Sequence, residues 1–348
     1  MVSLADIQLN NNSLLTPGSG PACALVGCTS GIGLATLQAV LRSTSSPTIF
    51  LVGRGGSARF EALVAEVQGL NASAHLVPVV AEDLTLVACA QRAAAEIASK
   101  ASRLDLLIMS PGYLSLSAAS DVSPEGLDRV TSIRYHARMR ILLTLLPLLR
   151  AAPSPRVLSV LAGGKEGALN LVDLGMTLPG SYGPFYAAGA AAAMTTLVFE
   201  HLSKQPGNER IVFLHVWPGV VYGTGLGLQN SSAPGSISTV VSFLWDWVFK
   251  PVFRVVGYSP AETGERVLFA ATNGRFRRVQ GDPERARGTL IQQGSDGLLG
   301  SGVYLVNADS SVVEGGGNRE LKRLRNEMDG ARKVWEYTIA EFERIERM

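Results

Sequence analysis

Short apolar runs alternate with amphipathic ones along most of the chain. Ala22–Val26, Thr48–Val52, His75–Val80 and Leu104–Met109 are short, apolar and bounded by polar turns, which predicts four strands. Between them Leu34–Leu41, Phe60–Val67 and about Thr85 to Lys100 carry apolar residues at helical spacing. The pattern continues with a long helix from about Pro124 to Leu149 and a fifth strand at Arg156–Leu161. An alanine-rich helix at Ala187–Ser203 follows, then a sixth strand at Arg210–Val216 that stops at Pro218-Gly219. Strands alternating with helices need right-handed crossovers. The expected fold is α/β: a doubly wound parallel sheet in three αβα layers.

Other stretches break this rhythm. Residues 1–20, with Asn, Ser, Gly and Pro, read as a flexible arm, leaving 21–348 as a single domain. In the aromatic insertion Ser236–Arg254, Val240, Phe243, Leu244, Trp247 and Val248 share a helical stripe, with Ser242, Asp246 and Lys250 on another side. Residues 225–275 are therefore predicted as helices of a lid over an apolar pocket. An ordinary core helix fits the same spacing equally. Contact with a membrane surface is not expected, because the polar side holds one Lys. Residues 276–302 read as an irregular surface segment and Gly302–Val306 as a last strand. Residues 318–347 form a C-terminal amphipathic helix, with Leu321, Leu324, Met328, Val334, Trp335, Ile339 and Phe342 on its apolar side.

Composition narrows the partners. A net charge of +2 without a basic run argues against nucleic acid. Cys23, Cys28 and Cys89 are too few and too odd for a disulfide framework, so reduced thiols and a cytoplasmic location are expected. His75, His136, His201 and His215 show no metal-ligand spacing, and no metal is expected. The chain shows no secretory signal pattern and no uninterrupted apolar run long enough to span a bilayer.

The first strand runs into Gly27-Cys28-Thr29-Ser30-Gly31-Ile32-Gly33, which opens a helix. A glycine turn there lets backbone approach a pyrophosphate, and the helix N-terminus supplies N–H donors. Thr29, Ser30 and Ile32 complete this Rossmann-type cradle around Gly27, Gly31 and Gly33. The competing reading is a plain βα turn. At the end of the second strand Arg54 stands where an Asp would accept from a ribose hydroxyl. Its guanidinium suits a 2′-phosphate, with Arg59 as a second candidate.

With these features, about residues 20–225 resemble the short-chain dehydrogenase/reductase family. The family's TGxxxGIG appears here with Val26 in place of Thr. Asp83-Leu84-Thr85 matches the family's adenine-edge element. Met109-Ser110-Pro111-Gly112 replaces NNAG, keeping the glycine. Pro218-Gly219-Val220-Val221 is similar to the PG motif, with Thr224 near the carboxamide position. The resemblance implies NADP(H) bound by the glycine turn, Arg54, Asp83, Leu84, Pro111, Gly112, Pro218, Gly219, Val221 and Thr224. It implies a homo-oligomer through the helices after the fourth and fifth strands. Lys333–Thr338 resembles fungal members linked to secondary metabolism, so a hydrophobic small-molecule substrate is expected.

The family's catalytic Ser, Tyr, Lys and Asn map less simply. Arg134 falls at the Asn position, and Leu161 or Ala162 at the Ser position; Ser159 lies further back. Tyr182 stands for the Tyr with Tyr186 at the Lys position, and a second alignment puts Pro184 and Ala188 there. Lys165 is the nearest basic residue in sequence. Arg134 and Arg138 share a helix face and one of them suits an acidic substrate or a phosphate; a solvated face is the plainer reading, and Arg134 alone rises above it because it falls at the Asn position. An unassisted tyrosine, with a pKa near 10, stays neutral. That favours ketone or enone reduction with NADPH over alcohol oxidation. An isomerase, cyclase or pericyclase on the same scaffold is the second reading, and a silent binding protein the third.

Overall fold

The structure is a computed structural model that describes residues 1–15, 20–55, 58–113, 115, 117–223, 257–279 and 290–348. Its sheet has seven parallel strands: β1 (Ala22–Val26), β2 (Thr48–Gly53), β3 (His75–Val80), β4 (Leu106–Met109), β5 (Arg156–Val160), β6 (Val212–Val216) and β7 (Val303–Val306). Their order is β3-β2-β1-β4-β5-β6-β7. Every strand pair is parallel, as in Val26 against both Val52 and Met109. The order reverses between β1 and β4. A crevice opens there at the strands' carboxyl ends, the usual ligand position in such sheets.

The helices cover both faces. On one side lie α1 (Leu4–Asn12), α2 (Gly31–Ser43) and α3 (Ala58–Gln68). On the other are α4 (Val87–Lys100), a short α5 (Arg129–Thr131), α6 (Ala137–Ala151) and α7 (Pro184–Ser203). Next in sequence is α8 (Pro260–Thr272), back on the α2 side; α9 (Arg319–Asn326) and α10 (Gly330–Glu346) close the α7 side. β4 and β5 are buried along their whole length, which is why they read as continuous apolar runs.

Several expectations need correction. The N-terminal arm is helical over Leu4–Asn12, capped by the Ser3 hydroxyl accepting from Asp6 N–H. Ile7 is fully buried, which contributes about 2 kcal/mol. Asn11 Nδ2 donates to Glu265 on α8, so α1 is docked. Within the expected lid, residues 260–272 are a core helix instead. Gly264 meets the Ala35 backbone so closely that a Cβ would lie 2.5 Å from it. Ser259 Oγ caps α8 by accepting from Glu262 N–H, a Ser-x-x-Glu signal legible in the sequence. Residues 236–254 of the insertion lie outside the described residues. The 276–302 segment is not all surface, since Phe276 is fully buried and Ile291 nearly so.

The single C-terminal helix is two helices. Asp329 takes a left-handed conformation (φ 51°) between them, and Gly330 follows. This hairpin packs on α7 and α6. Arg325 grips Glu200 through two nitrogens at 2.6 and 2.9 Å, and Trp335 stacks on His201. Arg140 on α6 pairs with Glu346 and lies over the Phe342 ring. The helices on which subunit contacts were expected thus carry part of the chain's own C-terminus. Among the described residues, no helix is long and apolar enough to cross a membrane.

Candidate active site

The glycine turn has the geometry its sequence implies. Gly27 (φ +80°) and Gly31 (φ +55°) occupy the left-handed region. A Cβ on Gly33 would collide with the Gly27 carbonyl and stand 2.5 Å from Ser110 Oγ. A Cβ on Gly27 would come within 2.8 Å of Pro111 N. Ser30 is the extended N-cap of α2, and its side chain makes no capping bond. The first N–H groups of α2 therefore point out of the turn without a side-chain cap, the arrangement an anion requires. Thr29 rests on Gly53 at the end of β2, and Arg54 just beyond is exposed. These residues fit a dinucleotide phosphate group. Cys28 faces the core instead, and burial pushes its thiol up to about 12.

Asp83 is engaged within the chain. Its Oδ1 accepts from Thr85 N–H and Oγ1, and its Oδ2 from Arg129 at 3.1 Å. Burial alone would raise its pKa, but these bonds outweigh it and hold the carboxyl below its ordinary value. Leu84 is buried beside it. Gly219 (φ +73°) turns against Ala308 and Tyr258, and Pro218 precedes it beside α8. Val221 forms a bridge with Tyr258. Thr224 lies outside the described residues.

The helix after β4 is not continuous from Pro124. Asp128 caps α5 by accepting from Thr131 N–H and Oγ1, and the chain then makes a π-helical turn, Ser132–His136, before α6. Such turns recur at functional sites, and this one carries Arg134. Neither Arg134 nor Arg138 lies on a solvated face; they are 6% and 1% exposed. Arg138 ties together the carboxyl ends of β4 and β5. It donates to Met109 O at 3.1 Å, Val160 O at 3.0 Å, Ser159 Oγ at 2.7 Å and Pro111 O at 2.5 Å. Burial, and then the Arg134 charge, pull its pKa down to about 9. Arg134 donates to Tyr113 O at 2.8 Å. Two arginines thus clamp the Met109–Tyr113 loop, which lacks the family's asparagines. The helical spacing places Arg138 on a solvated face, whereas it is buried; its signal is a basic residue among the apolar positions of α6 that face the sheet.

Tyr182 sits just ahead of α7, with Arg134, Tyr113 and Asp128 acting on its hydroxyl. Burial raises the phenol to about 12; Asp128 adds to the rise and Arg134 opposes it. Tyr182 and Asp128 line a cavity of 430 Å³ whose other walls include Val122, Gly126, Gly175, Met176 and Leu178. Tyr186 turns elsewhere: its hydroxyl accepts from Asn170 N–H at 2.8 Å and pins the loop before α7. Lys165 does not reach Tyr182. Its Nζ lies 4.2 Å over the Trp217 ring. Ser159 is fully buried on Arg138.

Ala162, one of the two residues matched to the serine position, is held through its backbone. His215 Nε2 accepts from Ala162 N–H at 3.1 Å, so the imidazole proton sits on Nδ1. It bonds Thr196 Oγ1 at 2.8 Å, and that hydroxyl donates to Glu166 Oε1 at 2.8 Å. Burial lowers His215 to about 3 and raises Glu166, consistent with a neutral imidazole. This chain of bonds braces the loop after β5.

α10 supports the cavity from behind. Tyr135 and His136 of the π turn bond Thr338 and Tyr337, the latter pair at 3.2 Å. Tyr337 also reaches toward Gly175, and Arg344 donates to Glu125 O at 2.6 Å, next to Gly126. Both glycines belong to the cavity wall. Only the fold could bring residue 338 to residue 135. Among the described residues no cluster could hold a metal ion.

Comparison with known proteins agrees with this geometry. The short chain dehydrogenase family profile matches residues 22–171. An oxidoreductase of Emericella nidulans is 34% identical over 341 residues, covering 97% of both chains. The oxidoreductase lepF of Aspergillus flavus is 33% identical over 99% of this chain and 98% of its own. The L-sorbose reductase of Gluconobacter frateurii, solved with NADPH and L-sorbose, shares the fold at 19% identity. Its TM-score is 0.52, over 73% of this chain and 90% of that one. The chain belongs to the short-chain dehydrogenase family.

Proposed function

We propose that the protein is an NADPH-dependent reductase of a ketone or enone in a hydrophobic small molecule, of the kind made in fungal secondary metabolism. The observation that carries the reading is Tyr182: a phenol raised to about 12 beside the buried Arg134 guanidinium. At neutral pH such a group is a proton donor and a poor base. It serves reduction, in which the carbonyl oxygen must gain a proton, better than alcohol oxidation, in which a base must remove one. The named relatives are oxidoreductases. The glycine cradle and Arg54 suit a nicotinamide dinucleotide phosphate, and L-sorbose reductase of the same fold was solved with NADPH.

A bound nicotinamide would supply the hydride. Residues 27–33 would hold its pyrophosphate and Arg54 its 2′-phosphate. Arg138 keeps the β4 and β5 ends fixed, Tyr182 donates its hydroxyl proton to the carbonyl oxygen, and water restores that proton. Orientation by the protein does the rest.

A second reading, a non-redox isomerase or cyclase, draws on the one observation that Lys165 rests on Trp217, so that among the described residues it does not serve Tyr182. One experiment separates the two. Purified protein is mixed with NADPH and an extract of a strain lacking it, and product mass and reduced-nicotinamide absorbance are followed. A strict NADPH requirement with a gain of two hydrogens supports the reductase. Turnover without NADPH consumption refutes it.

A further inference from the structure

Charge around Tyr182 does not balance. Arg134 and Arg138 are both buried, one helical turn apart. Among the described residues Arg138 is bonded only to neutral oxygens, and Arg134 to a single carbonyl. The carboxylate that acts on Arg134 is Asp128. Its oxygens already take Ser120 Oγ, Asp121 N–H, Thr131 N–H and Thr131 Oγ1, and the Tyr182 hydroxyl hydrogen-bonds to it as well, so the carboxylate has little acceptor capacity left for Arg134. Among the described residues, two guanidinium charges thus face one carboxylate. Buried charge is costly without a partner.

The free capacity lies on Arg134. Nε of Arg138 is buried without a partner, whereas no nitrogen of Arg134 is in that state. Since only Nη2 of Arg134 is bonded to a described residue, its other nitrogens open onto accessible space. Tyr182 stands beside it and lines the cavity.

We propose that Arg134 is an anion receptor beside the Tyr182 proton donor, and that the substrate carries an ionised oxygen, a carboxylate or an acidic enol, beside its reacting carbonyl. A planar guanidinium suits either group, since both spread negative charge over two oxygens. The anion supplies the missing counter-charge and fixes the carbonyl against the Tyr182 hydroxyl. The proposal rests on the reductase reading for the carbonyl alone; anion binding is measured separately.

The test uses the full chain and two probe pairs. Benzoylacetate is compared with its methyl ester, and 5,5-dimethylcyclohexane-1,3-dione, ionised at neutral pH, with its neutral O-methyl enol ether. Calorimetry should show the ionised member of one pair binding roughly tenfold or more tighter, the weight of a charge-assisted hydrogen bond. The preferred pair tells carboxylate from enol. Arg134→Gln should abolish the preference and Arg134→Lys retain part of it. If Arg134→Gln does not fold, a lowered preference for the ionised probe in Arg134→Lys carries the test. No binding, equal binding within both pairs, or a preference unchanged in the variants overturns the proposal. NADPH consumption is followed in parallel. An anion preference without consumption of NADPH on any carbonyl probe or extract supports the receptor and refutes the reductase.

Discussion

Replacing Thr338 by Val changes one buried hydrogen bond almost without changing shape. Thr338 donates its hydroxyl proton to Val334 O at 2.7 Å, so the Tyr135 hydroxyl must be the donor in the Tyr135–Thr338 bond. Both side chains are fully buried. Thr338→Val therefore strands the Tyr135 donor away from water, at a cost of about 1–3 kcal/mol. Tyr135→Phe removes the donor itself and should cost about 0.5–1.5 kcal/mol. The double variant leaves no stranded donor, so it should be scarcely less stable than Tyr135→Phe alone. That predicts a coupling about equal to the Thr338→Val cost, about 1–3 kcal/mol, read from urea unfolding midpoints. Thr338→Val should also lower NADPH turnover where the protein is fully folded, because Arg134 precedes Tyr135 on the same π turn. Additive costs, within about 0.5 kcal/mol, would refute the bond and its role in the turn.

Three further outcomes are expected. Gly33→Ala should abolish dinucleotide binding in a protein that still shows an α/β circular dichroism spectrum, because its Cβ meets the Gly27 carbonyl and Ser110; retained affinity would contradict the cradle. Arg54→Ala should raise KM for NADPH roughly tenfold and leave that for NADH unchanged, the modest size reflecting its exposure. Burial lowers His136 from 6.5 to about 4 and His215 from 6.5 to about 3. The unfolded chain binds their protons first, so stability is full above pH 6.5 and falls as pH drops toward 4, by up to about 2.7 kcal/mol per unit for two histidines. Urea midpoints independent of pH over that window would show that these rings are not buried neutral.

The half of the fold around the glycine turn was legible because its signals are local. Alternating apolar runs, a glycine turn after the first strand and Arg54 after the second lie within a few residues of the structure they cause. Two departures from the expected elements also carry local signals: Ser259-x-x-Glu262 marks the start of α8, and Asp329-Gly330 breaks the C-terminal helix. Arg138 was harder. On a helix face read by spacing alone, a basic residue is expected to be solvated. Only the strand ends it meets, with their carbonyls, make its burial tolerable.

By itself, then, the sequence determined the parallel α/β frame and the glycine turn that opens α2 after β1. Backbone propensity and side-chain periodicity act between near neighbours, so they can be read without the fold. Tertiary structure decided where charge and polarity lie around Tyr182: Arg134 beside it, Asp128 saturated by its own cap, Lys165 drawn to Trp217, and α10 bracing the π turn from two hundred residues away. Burial and long-range hydrogen bonding set the chemistry of these groups, and both come into being only when the chain packs.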